Sequence, residues 1–86
     1  MKTLKIKDCW PPQVVRIEWD DAHMSHDDAE ADTVDTTCVR TNAGFLVAIK
    51  DGHAVLAMDI STEEVGSFRH YMSIPMGMIR NHKVLR

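Results

Sequence analysis

An Asp-Gly dipeptide at positions 51 and 52 separates two apolar runs, Phe45 to Lys50 and His53 to about Ile60. Such a pair favours a two-residue type I′ turn, in which both central residues take positive φ and the flanking segments pair as antiparallel strands. The middle of the chain therefore reads as a β-hairpin, and the remainder must supply its partners. Gln13 to Trp19 alternates Val15, Ile17 and Trp19 with Arg16 and Glu18, the period of a strand with one buried face. Thr33 to Thr41 is rich in β-branched residues and predicts a second strand, with Asn42-Ala43-Gly44 as a turn before the first arm of the hairpin. Ser67 to Ile74 alternates again, with Phe68, His70, Met72 and Ile74 on one side and Arg69, Tyr71 and Ser73 on the other. Pro75-Met76-Gly77-Met78 predicts a turn or a single 3₁₀ turn, and Ile79 to Arg86 a short last strand. Ser61 to Gly66 begins like a capped helix but meets Gly66 too early, and reads as a loop.

No long window carries helical periodicity, so the expectation is an all-β chain of five or six short strands. Closure into a small barrel is expected because an open sheet leaves edge groups unpaired. Trp10-Pro11-Pro12 halts regular structure, which sets off residues 1–12 as an N-terminal extension from a single small β-barrel domain over 13–86. With 86 residues, 44% hydrophobic and 27% charged, the chain has room for one modest core; a two-domain enzyme and a disordered chain are both excluded. Its apolar runs fall far short of the roughly 20 residues that span a bilayer. Met1 to Asp8 is charged with no apolar stretch after it, which argues for a cytoplasmic protein. Cys9 and Cys38 are too few for a disulfide scaffold and are expected to stay reduced.

The order of strand, long loop, three meandering strands, a one-turn interruption at Ile74-Pro75-Met76-Gly77-Met78-Ile79 and a short last strand resembles the SH3-like and Sm-like small barrels, over Val14 to Leu85. In those folds a 3₁₀ turn separates the last two strands, and Ile79, Val84 and Leu85 resemble the apolar positions of the second Sm-like motif. The uridine pocket of Sm-like proteins takes an Asp and an Asn from the loop between the second and third strands. Asp51-Gly52-His53 has no Asn, so that pocket does not carry over. Trp19-Asp20-Asp21-Ala22-His23, Ala43-Gly44-Phe45-Leu46-Val47 and Ile74 to Ile79 also look like a group of short phage-encoded proteins of unknown function, which implies a phage or prophage source.

Charge is unevenly laid out. Of 13 acids, eight fall in Glu18 to Asp35 with no Lys or Arg among them, which leaves five acids against 10 bases elsewhere. Asp20 to Asp32 reads as a long polar loop, with one helical turn through Asp27 to Ala31. It suits either solvation or a basic host or phage protein as partner. Its register lacks the alternating Asp positions and central Gly of a calcium loop. His23 and His26 form His-x-x-His and with Cys9 and Cys38 could make four zinc ligands, but the cysteines are unpaired in sequence, so no metal and no cofactor is assigned. No nucleophile elbow, Walker loop or dinucleotide fingerprint is present, and the chain is read as a non-enzyme. Arg69, His70 and Tyr71, with Arg80, His82, Lys83 and Arg86, gather cations near an aromatic, the combination that contacts phosphates and stacks bases; a solvated barrel face fits them too. Six methionines and the edges of a small barrel point to a homo-oligomer. The expectation is thus an oligomeric binding module for RNA or a small anionic nucleotide, or alternatively a protein-interaction accessory factor that uses the acidic loop.

Overall fold

In the computed structural model, which describes residues 4–22, 31–32 and 37–86, the alternation of the first strand is realised directly. β1 (Val14–Ala22) buries Val15, Ile17 and Trp19 on one face. β2 (Thr37–Lys50), β3 (His53–Ile60), β4 (Phe68–Pro75) and β5 (Ile79–Val84) follow, and one 3₁₀ turn, Met76–Met78, joins the last two. The five strands form one antiparallel sheet in the order β4-β3-β2-β1-β5, with no α-helix among the described residues. No helix there is long and apolar enough to cross a membrane.

The hairpin forms as the Asp-Gly pair requires. Asp51 and Gly52 take φ of 52° and 72°, and Lys50 stands opposite His53. The Gly52 carbonyl also accepts a 2.8 Å bond from the Met76 amide, which ties this turn to the 3₁₀ turn. Residues 61–67 form a loop closed by Ser61 N to Ser67 O at 2.9 Å, with the Ser61 hydroxyl accepting from the Glu64 amide.

Asn42-Ala43-Gly44 is not a turn. β2 runs unbroken through it, so two expected strands are one, and the count is five. The Asn42 side chain is committed elsewhere: its Oδ1 accepts from Trp19 Nε1 at 2.8 Å, satisfying the donor of a buried indole. Gly44 serves close approach, since a Cβ there would lie 3.0 Å from the Ala57 carbonyl oxygen and 3.5 Å from Leu56 Cβ. The strand bends instead at a bulge between Leu46 and Ala48. Gly44→Ala is expected to push β3 away at a cost of about 1–3 kcal/mol. A thermal melt should fall by several degrees; an unchanged melt would show that β3 yields freely there.

The expected barrel closure is not made either. β4 and β5 are the two outer strands and do not pair with each other. In a flat sheet, four gaps of about 4.8 Å would hold them roughly 19 Å apart. The three residues of the 3₁₀ turn rise only about 2 Å each, so the sheet is strongly curled at that corner. Away from it each edge has one local irregularity: β5 slips by one residue against β1 between Glu18 and Trp19, and His70 within β4 takes φ of 53°. The two edges of one chain therefore do not match along their whole length, while the shorter runs on either side of each irregularity keep unpaired donors and acceptors.

The concave face holds the core: Val15, Ile17, Trp19, Leu46, Ala54, Leu56 and Ile74, with Leu4 added from the segment before the first strand. Ile49, Met72, Met76, Met78 and Ile79 close its margins, which puts three of the methionines against the core, while Met58 is 74% exposed. Trp10 Nε1 donates to the Ser61 carbonyl at 2.7 Å, fastening the leading segment to the 61–67 loop.

Candidate nucleic-acid interface

Of the seven residues singled out as a nucleic-acid surface, Arg86 follows β5 and the other six fall into two groups on opposite edges of the sheet. Arg69, His70 and Tyr71 lie on β4, and Arg80, His82 and Lys83 on β5. Within one chain they form no single patch.

On β4, strict alternation would turn His70 inward beside Met72 and Ile74. Its left-handed backbone prevents this and leaves the side chain 68% exposed. Successive residues of a regular strand point to opposite faces. Here Arg69 and His70 both reach the same carboxylate: Asp59 Oδ2 lies 2.9 Å from His70 Nδ1 and 3.7 Å from an Arg69 guanidinium nitrogen. Asp59 stands directly opposite Arg69 on β3, so one acid engages both side chains of this edge. Tyr71 stands opposite Ala57 on the convex face and is 63% exposed. The Phe68 ring meets it edge-on at 5.6 Å and 85°.

On β5, Arg80 is the extra residue of the bulge and lies 3.7 Å from Asp20 Oδ1. His82 stands opposite buried Ile17 and is half-buried on the concave side, away from Lys83. Lys83 stands opposite Arg16, both exposed, and neither has an ion-pair partner among the described residues. Like charges placed directly opposite destabilise a strand pair. Arg16 is thus a member of the basic set that alternation alone assigned to the solvent face of β1; only the register of β5 against β1 reveals it.

The acidic segment begins as strand rather than loop, because β1 continues to Ala22, opposite Thr37. Asp20 pairs with Arg80, and Asp21 with Arg40 at 2.9 Å. Asp27, Asp28, Glu30 and Asp35, and with them the helical turn expected over Asp27 to Ala31 except for its last residue, lie outside the described residues. So do His23 and His26 of the four-ligand zinc reading; Cys9 is exposed and Cys38 half-buried, both free thiols.

No family model, curated protein or solved structure matches the chain. Geometry and residue chemistry alone carry the functional argument.

Proposed function

We propose that this chain is a non-enzymatic, oligomeric binding module for RNA or a small anionic nucleotide, built as an open form of the SH3-like and Sm-like small barrel. The supporting observation is that Arg69 sits on one unpaired outer strand and Arg80 and Lys83 on the other. Unpaired outer strands are templates for pairing with another chain. Copies joined edge to edge would set Arg69 and Tyr71 of one beside Arg80 and Lys83 of the next, completing a surface that one copy holds only in part. The net charge of −3 is compatible with this because phosphate contacts depend on local cations rather than on the total. The alternative, a basic partner protein held by the acidic segment, has less to work with, since Asp20 and Asp21 are already engaged by arginines.

Native mass spectrometry of the purified chain tests the reading. An oligomer carrying nucleotide or RNA mass is expected, and a bare monomer that stays monomeric with added RNA overturns it. Asp59→Asn should release Arg69 and His70 and tighten binding of a fluorescent single-stranded oligonucleotide about two- to fivefold, the worth of an exposed ion pair. Equal or weaker binding in anisotropy would remove the β4 group from the interface.

A further inference from the structure

The convex face of the sheet carries a hollow of about 460 Å³ that none of the edge cations defines. Its floor is the row in which Ala48 and Val55 stand beside Ser73, with Lys50 and His53 opposed in the next row. Small side chains keep the floor low, and Val55 is buried beneath it. Tyr71 forms one wall, its ring braced by Phe68, and the hairpin residues Lys50, Asp51 and His53 form the far end.

The polar groups are arranged from end to end. His53 Nδ1 lies 2.7 Å from the Asp51 carbonyl oxygen, and a carbonyl only accepts, so the proton sits on Nδ1 and the neutral ring presents Nε2 as an acceptor. Lys50 has no ion-pair partner among the described residues. Tyr71 and Pro75 are four residues apart on β4, about 13 Å at 3.3 Å each, so the aromatic wall and the cationic end are separated by roughly the reach from the far edge of a base to its phosphate. The Ser73 hydroxyl lies between them, level with a ribose.

We infer that this hollow is a nucleotide subsite: a base stacks on Tyr71, Ser73 faces the sugar, and Lys50 takes the phosphate. An exposed aromatic beside a cation on a sheet face is the arrangement by which single strands are held, because every base offers a π-face and every phosphate a charge. Asp51 is the one acid among the described residues that line the hollow, and it opposes a phosphate. The inference rests on the nucleic-acid reading above and extends it from Tyr71 to Ser73 and Lys50, which that reading did not include.

The chain has one tyrosine, so uniform 3-fluorotyrosine labelling reports on this hollow alone. Titration of the full-length labelled protein with a short single-stranded RNA is expected to shift its one ¹⁹F resonance saturably, at the concentrations where anisotropy reports binding. Tyr71→Ala should weaken binding about tenfold while Tyr71→Phe keeps it, as loss of one stacked base predicts. Asp51→Asn, which preserves an ideal type I′ turn, should tighten a nucleoside monophosphate but not the matching nucleoside. If a mononucleotide shifts the resonance as fully as the RNA, the occupant is free nucleotide; if only the RNA does, it is a single strand. RNA binding by anisotropy with an unmoved resonance and an indifferent Tyr71→Ala overturns the subsite and leaves the oligomeric reading standing. Duplex RNA that shifts the resonance as well as the single strand also overturns it, since a paired base cannot enter the hollow. No anisotropy response to any nucleic acid overturns both.

Discussion

Ile17→Ala is expected to destabilise the chain by about 2–5 kcal/mol. Ile17 is fully buried at the centre of β1, the strand that pairs with β2 on one side and β5 on the other. Asn42 and His82 stand opposite it on those neighbours, and neither supplies apolar volume that could move in. The lost methylenes would therefore leave a cavity beneath the join of three strands. A domain of this size holds only about 5–10 kcal/mol of net stability, so the substitution removes a large share of it. Val84→Ala is the matched control: it deletes apolar atoms from β5, opposite Val15, but from a side chain already 48% exposed. Urea unfolding should separate the two by at least about 1.5 kcal/mol. Equal midpoints would mean that β5 is closed over by contacts the core around Ile17 does not explain.

Strand content and the two tightest turns were legible from short-range chemistry. Asp51-Gly52 predicts its own backbone because few other pairs accept positive φ twice. Pro75 to Met78 predicts a 3₁₀ turn because proline and glycine at that spacing admit little else. Three misplaced residues share one cause, a local preference that yields to a partner distant in sequence. Asn42 looks like a turn residue, yet its amide is taken by the indole of Trp19, 23 positions away. Gly44 looks like a flexible joint but fills a close approach to Ala57. His70 looks inward-facing by alternation and is turned outward by a left-handed backbone, so that it and Arg69 share Asp59. The candidate site was half legible for the same reason. Clusters along the chain showed Arg69 to Tyr71 and Arg80 to Lys83, but not that the strand order leaves them on opposite edges. Arg16, Lys50 and His53 could be recruited only once the strand registers were known.

Reversing charge at Arg69, Arg80 and Lys83 together should reduce RNA affinity by roughly a hundredfold and flatten its dependence on salt, because each lost phosphate contact removes about 0.7 from the log–log slope for a single strand. The more discriminating experiment splits the change between the edges. A chain altered only at β4, Arg69→Glu, keeps an intact β5; a chain altered only at β5, Arg80→Glu with Lys83→Glu, keeps an intact β4. Each alone spoils every edge-to-edge seam, since every seam takes one edge from each of two neighbours. Co-expressed in equal amounts and mixed at random, the two chains would restore both halves at about one seam in four, where the intact β4 of one meets the intact β5 of the other. Binding capacity should recover to roughly that fraction while each pure variant stays inactive. If instead a single chain supplied the whole surface, no mixture could contain an unaltered site, and recovery would be absent. Loss of both activities with no rescue, in a mixture shown by mass to be hetero-oligomeric, would refute the shared seam while leaving each cation a contact in its own right.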